Sequence, residues 1–224
     1  GPYNGSASYS TNAIYANDTW QYSIMSYFPE NNYSGSSYRY VVTPQMADIY
    51  AMGSIYGAAS STRTGDTVYG FNSNAGAVFN FSAYSPAPAL TIYDSGGNDT
   101  LDCSGYSNAQ FVDLRPGTFS SVGGLVNNIG IALNAIIERA IGGAGNDAYI
   151  VDNVGDVVVE NAAEGNDSVF ASVNYTLTAN VDNLILQGGA DLQGHGNSAV
   201  NAVIGNSGNN LLDGEGGADV LTGN

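Results

Sequence analysis

The 224-residue chain carries 20 acidic and only 4 basic side chains, a formal net charge of −16, yet 43% of its residues are hydrophobic. That charge argues against nucleic acid and anionic membranes as partners, and the apolar content argues against a disordered chain. A lone cysteine, Cys103, excludes an intrachain disulfide, and no apolar run reaches the roughly 18–20 residues of a membrane helix.

Residues 1–42 are rich in Tyr, Ser and Asn without clear periodicity and read as loop with short extended pieces. The opening GPYNGSASYS and the end within a repeat at Asn224 read as parts of a longer chain. TPQMADIYAMGSIYG, residues 43–57, predicts a helix. Thr43 is placed to cap it, Pro44 suits its first turn and Gly57 can end it. Met46, Ile49, Tyr50, Gly53 and Tyr56 fall on one helical face, expected to pack on the core.

After Gly57 the pattern changes. TVYGF, AVFNF, ALTIYD and QFVDL, between residues 58 and 140, are short β-type runs broken by Gly, Pro, Asn and Asp. IGIALNAIIERAI (129–141) has the composition of a helix, but Gly130 and Asn134 interrupt it and β-structure flanks it, so strands are expected.

From Gly142 a nine-residue rhythm takes over. GGAGNDAYI (142–150) is one unit, and GNSAVNAVI (196–204), GNSGNNLLD (205–213) and GEGGADVLT (214–222) run in unbroken phase. Between them DSVFASVNYTL alternates, with Val169, Ala171, Val173, Tyr175 and Leu177 facing one way, and NLILQGG follows as another strand. In the pattern G-G-x-G-x-D-x-U-x the first six residues form a turn. Its glycines let carbonyls point inward, and its sixth residue supplies a carboxylate. One apolar side chain, U, faces the interior; here these are Tyr149, Val203, Leu212 and Leu221. Two units make one coil, so turns stack two units apart and a cation can sit between them. Ca²⁺, a hard ion that takes carboxylate and carbonyl oxygens, suits that ligand set and would supply part of the folding free energy. The candidate ligands are Gly142, Gly143, Gly145, Asp147, Gly205, Asn210, Gly214, Gly216 and Asp219. Asn201 and Asn210 offer an oxygen but no charge, so weaker or empty sites are expected beside them. His195, the only histidine, reads as a solvent-facing turn residue far in sequence from Tyr27.

Several motifs in order resemble the serralysin family, secreted bacterial zinc metalloproteases of the metzincin group with an RTX-type β-roll behind the catalytic domain. QYSIMSYF (21–28) resembles the family's Met-turn and PQMADIYAMGSIYG (44–57) the helix after it. STRTGDTVYGFNSNAG (61–76), DSGGNDTLDCSGY (94–106) and the Glu138…GGAGND junction complete the series. The resemblance implies a mainly β fold: a parallel β-roll or β-solenoid with calcium-binding nonapeptide turns, preceded by a short α-containing C-terminal remnant of a metzincin catalytic domain. It assigns residues 1–60 to that remnant and 61–224 to a β-sandwich/β-roll calcium-binding domain.

The same resemblance places Met25 beneath a zinc ion and makes Tyr27 a zinc ligand that supports the oxyanion during turnover. It also places calcium outside the repeats. Arg63, Gly65 and Thr67, mostly through carbonyls, would share one ion with Asp94, Gly96 and Asp99. Gly97, Asp99, Glu138 and the carbonyl of Ile136 would hold a second. The family's H-E-x-x-H-x-x-G-x-x-H is absent, and GPYNG resembles the stretch just after its last histidine. The chain alone is therefore expected to be inactive, Tyr27 being one ligand of a site that needs about three from the protein.

The implied function is the C-terminal portion of a secreted, extracellular, calcium-dependent zinc endopeptidase. Its implied partners are a protein or peptide substrate, an associated N-terminal fragment, or a protease inhibitor. The alternative is a non-enzymatic RTX β-roll acting as scaffold or adhesin. SIMSY favours the enzyme part, since a free-standing roll needs no Met-turn.

Overall fold

The computed structural model describes residues 6–33 and 35–223; the GPYNG stretch at 1–5 lies outside them. Before residue 42 the described residues form no strand. They hold a one-turn helix α1 (Tyr9–Asn12), a 3₁₀ turn (Glu30–Asn32) and an isolated bridge from Val41 to Ala89.

Helix α2 runs Met46–Tyr56, and its ends test the sequence reading. Gly57, at φ 88°, closes it as expected. Its N-cap is Gln45 rather than Thr43, because the Thr43 hydroxyl accepts the Thr91 N–H (2.8 Å) instead. Gln45 and Asp48 then form a reciprocal capping box. The expected apolar face is only partly used. Met46 is buried and Ile49 packs against the core, but Tyr50 and Tyr56 are 60% and 77% exposed, since the helix meets the β-structure along one edge.

The strands are short: β1 (Val68–Gly70), β2 (Leu90–Ile92), β3 (Thr100–Asp102), β4 (Phe111–Asp113), β5 (Phe119–Ser120), β6 (Ile129–Ile131) and β7 (Arg139–Ile141). They continue as β8 (Ala148–Val151), β9 (Val157–Val159), β10 (Ser168–Ala171), β11 (Tyr175–Thr176) and β12 (Asn183–Leu186). The last are β13 (Gln193–His195), β14 (Ala202–Ile204), β15 (Leu211–Asp213) and β16 (Val220–Thr222). IGIALNAIIERAI thus gives two strands, β6 and β7, and no helix. AVFNF departs from expectation and forms two 3₁₀ turns. Asn80 Oδ1 accepts from the Ser82 N–H (3.0 Å) and hydroxyl (2.6 Å), a local pairing that competes with a sheet ladder.

Nearly all pairing is parallel; β5–β6 is the antiparallel exception among the named strands. One sheet has the order β4-β8-β10-β12-β14-β16, and others the orders β1-β3-β7-β9, β11-β13-β15 and β2-β6-β5. From β8 onward successive strands belong alternately to the six-stranded sheet and to a facing one, which is the parallel β-roll. The last turns repeat after 18 residues (Ala202↔Val220, Gln193↔Leu211), two nonapeptides per coil. The alternating run from Val169 to Leu177 is not one strand: it breaks after Ala171 and resumes at Tyr175 in the facing sheet, so Val173 sits at a corner and is half-buried.

Tyr149, Val169, Leu184 and Val203 stack in register on the inner face, all fully buried. Each burial of that kind is worth about 1.5–3 kcal/mol. Val158 of the β1-β3-β7-β9 sheet and Tyr175 and Leu212 of the β11-β13-β15 sheet join the same core. Gly194 packs closely on this face, since a Cβ there would lie 3.2 Å from Leu184 Cδ2, tighter than ordinary contact. Leu221 is 47% exposed, because the last described coil has a neighbour on one side only. No helix among the described residues is long and apolar enough to cross a membrane.

Candidate calcium sites

Stacking brings the turn residues of successive coils into columns. In the first column the Asp99 carboxylate accepts the Thr67 N–H (2.8 Å), and the Asp99 N–H donates to Glu138 Oε2 (2.7 Å). The Gly65 carbonyl belongs to the same group. A Cβ on Gly97 would lie 2.7 Å from that oxygen and 2.8 Å from Asp99 Oδ1, so only glycine, here at φ 145°, leaves the space open. Asp94, 2% exposed, accepts from the Tyr69 hydroxyl (2.6 Å) and the Gly96 N–H (2.9 Å), with Arg63 Nε 4.0 Å away. Arg63 adopts φ 49°, and its guanidinium turns aside to the Tyr69 hydroxyl and the Phe79 ring. The Ile136 side chain is 53% exposed in the segment between β6 and β7.

The second column holds one residue per coil. Asp147 Oδ1 accepts from Gln110 N–H (2.6 Å), Asp167 Oδ1 from Asp147 N–H (2.8 Å), Asp182 Oδ2 from Asp167 N–H (2.8 Å) and Asp219 Oδ1 from Asn201 N–H (2.9 Å). Gly142 and Gly143 enclose Asp147: the Gly143 N–H donates to its Oδ2 (3.1 Å), and a Cβ on Gly142 would strike the Tyr149 hydroxyl and Glu160. Gly145 donates to the Glu164 carbonyl (2.6 Å). Asp147, Glu160 and Asp167 are all buried, with ligating oxygens within 4.8 Å of one another. The Tyr149 hydroxyl donates to Glu160 Oε1, while Oε2 is buried without a partner; Asp99 Oδ2 is orphaned likewise. Such oxygens are costly unless water or a cation reaches them.

The electrostatics agree. Burial pushes Asp99 up to about 6, and the neighbouring Asp94 and Glu138 carboxylates add to it. Glu160 rises to about 8 and Asp167 to about 6, again from burial first and from the surrounding carboxylates next; Asp147 shifts upward for the same first reason. Among the described residues none of these four carboxylates forms an ion pair, and the donor set, oxygen throughout, fits Ca²⁺.

Sequence reasoning missed Glu160, Asp167 and Asp182. The signal for Asp167 was present: Gly165-x-Asp167-x-Val169 repeats Gly145-x-Asp147-x-Tyr149 twenty residues later, in register. Ala162 and Ala163 stand where the pattern has glycine, and Ala163 takes φ 66°. Glu160 lies outside the nine-residue pattern and carried no signal.

The asparagine turns are built differently. Asn201 Nδ2 donates to the Val181 (3.0 Å) and Asp182 (3.2 Å) carbonyls, and Asn201 Oδ1 accepts from Asn197 N–H (2.7 Å). Asn197 and Asn206 each donate to two carbonyls of the preceding coil. Asn210 Oδ1, beside Gly205, is buried without a partner. Gly214 lies against Asp219, and Gly216 against the Ser198 backbone of the previous coil.

The 20–28 turn is held by Trp20, whose N–H donates to the Phe28 carbonyl (2.9 Å) and whose Nε1 donates to the Ser26 carbonyl (2.9 Å). Asp48 of α2 accepts from Ser23 Oγ (2.6 Å) and Ile24 N–H (2.9 Å). Met25 and Tyr27 project outward, 77% and 68% exposed. Among the described residues, two groups of His, Cys, Asp or Glu converge closely enough to hold a metal, and neither includes this turn. The single histidine, His195, ends strand β13 rather than lying in a turn. The described residues therefore do not by themselves make a zinc site around Tyr27.

Residues 58–221 match the family described as Peptidase M10 serralysin C terminal. Among similar proteins, Serralysin B of Dickeya chrysanthemi is 50% identical over 149 residues, covering 65% of this chain and 31% of that protein. Metallopeptidase AprA of Pseudomonas marginalis is 47% identical over 153 residues, 65% of this chain and 32% of its own length. Serralysin of Proteus mirabilis is 49% identical over 136 residues, 59% and 28%. The chain spans about a third of the length of these relatives.

Proposed function

The chain belongs to the serralysin C-terminal family, and from that premise we propose that it is the calcium-binding portion of a secreted zinc endopeptidase. Residues 61–224 form the roll and 1–60 the edge of the catalytic domain. The observation that carries the reading is the buried Asp147–Glu160–Asp167 cluster, whose Glu160 Oε2 has no partner in the protein. Ca²⁺ there, and at Asp99 with Glu138 and Gly65, would neutralise like charges that burial otherwise penalises.

Calcium is scarce inside cells and abundant outside, so such a roll folds after export. Met25 and Tyr27 would stand at a zinc site whose histidines this chain lacks, which makes the chain alone inactive towards the protein substrates of the whole enzyme. The exposed Met25 and Tyr27 favour this over a free-standing scaffold or adhesin, which has no use for them. The test is calcium titration of the chelator-treated chain, by calorimetry and circular dichroism. Several Ca²⁺ bound per chain with a gain of β-signal is expected. An unfolding midpoint identical in chelator and in millimolar calcium would overturn the proposal.

A further inference from the structure

A second group of metal-ligating side chains stands apart from the carboxylate columns, near the end of the stack. His195 on β13 and Asp213 on β15 are directly paired in register. They hold the same place, the last residue of their strands, one coil apart. A parallel ladder puts such residues about 4.8 Å apart. Glu215 follows two residues later, at the second position of its nonapeptide, where the other units have Gly143, Asn197 and Asn206. It adopts φ 61° there, and its N–H donates to Asp213 Oδ1 (3.0 Å). His195 Nδ1 lies 3.8 Å from Glu215 Oε1, beyond hydrogen-bond length. One ligating atom from each of the three side chains lies within 4.8 Å of the others.

These distances suit one small cation. Two ligands each about 2.1 Å from a tetrahedral ion lie roughly 3.4 Å apart, so the 3.8 Å gap closes with a small rotamer change at the exposed Glu215. The donor set also separates this group from the calcium columns. Imidazole nitrogen is a poor partner for Ca²⁺ and a good one for zinc and its first-row neighbours. Two carboxylates and one imidazole give three protein ligands and leave room for water. The side chains are accessible, 27% for His195 and 56% for Glu215, so an ion can enter from solvent. The surrounding charge of −16 attracts divalent cations.

We infer that His195, Asp213 and Glu215 form a surface site for a first-row transition-metal ion such as Zn²⁺, clamping β13 to β15. The site uses neither Tyr27 nor any carboxylate of the calcium columns.

Because His195 is the only imidazole, its ring ¹H–¹⁵N resonances report the site without assignment. In the calcium-saturated chain, one equivalent of Zn²⁺ is expected to shift the Nδ1 resonance strongly. Zn²⁺ affinity measured by calorimetry should fall at least tenfold in Glu215→Gln and in Asp213→Asn. It should be lost in His195→Asn, a substitution at a half-buried position that is expected to leave the fold intact by circular dichroism. Tyr27→Phe should bind as the parent does, and 10 mM Ca²⁺ should not displace the zinc. Unmoved imidazole resonances at stoichiometric Zn²⁺, or unchanged affinity in His195→Asn, would overturn the assignment, as would loss of binding in Tyr27→Phe.

Discussion

Glu160→Gln separates a calcium ligand from a packing residue, because its effect should change sign with calcium. The substitution keeps the volume and leaves an oxygen to accept from the Tyr149 hydroxyl. It puts an N–H where Oε2 has no partner, facing Asp147 and Asp167. Without calcium, Glu160 titrates near 8 instead of near 4.5. A folded-state pKa raised in this way costs stability as pH climbs through that window, about 1.4 kcal/mol per unit. Gln has no such cost. Halved for the water that reaches the turn, the difference at pH 7 is about 2 kcal/mol in favour of Glu160→Gln in chelator. With calcium the order reverses, because the variant lacks one of three anionic ligands; affinity should drop about tenfold or more. Urea unfolding at pH 7, in EGTA and in millimolar calcium, reads both. Equal destabilisation in the two conditions would show that Glu160 serves packing and its tyrosine hydrogen bond, and would refute the calcium assignment.

Acidification should reduce the need for calcium. Asp99 and Asp167 titrate near 6 and Glu160 near 8, so the calcium-free native state holds more protons than the unfolded one between about pH 4 and 8. In chelator the midpoint should therefore fall as pH rises across that window; a rising midpoint contradicts the reasoning. Gly97→Ala would place a Cβ 2.7 Å from the Gly65 carbonyl oxygen at φ 145°, and a loss of about 2–4 kcal/mol is expected in urea melts; a cost within 0.5 kcal/mol would mean, on the scale of ordinary surface changes, that the turn is not tight. Asn201→Asp replaces the amide that donates to Val181 and Asp182. It should cost about 1–3 kcal/mol in chelator and recover with calcium; equal stability in the two conditions argues against it.

The roll was legible where its repeat is regular. Tyr149, Val203 and the pairing of coils 18 residues apart follow from the nonapeptide alone. Strands were also legible at 129–141, because Gly130 breaks the helical reading. Legibility failed where a contact distant in sequence decides the outcome. Thr43 looks like a cap until Thr91 takes its hydroxyl. Tyr50 and Tyr56 look like core until the helix is seen to meet only an edge. AVFNF alternates like a strand, yet Asn80 caps its own turn. Glu160 belongs to no repeat, and only the folded coil carries it to Asp147.

The two kinds of turn solve one problem with different chemistry. Carbonyls at the turns of one coil face the next, as at Thr178, Val181 and Gln187, and need a donor or a cation there. At Asn197, Asn201 and Asn206 the side-chain amide does this, donating to carbonyls of the preceding coil while adding no charge. At Asp99, Asp147 and Asp167 the side chain is itself an anion, so the coil gains repulsion along with its turn. A divalent cation answers both the carbonyls and the carboxylates; an amide could answer only the former. On the calcium reading, dependence on the ion is therefore concentrated in the coils from Arg63 to Asp182. Beyond them, Asn197, Asn201 and Asn206 supply their own substitute for it, and Asp219 is the carboxylate that continues the column. Those later coils still need β10 and β12 as a template, since β14 pairs directly on β12. The asparagine turns thus remain calcium-dependent through the stack beneath them.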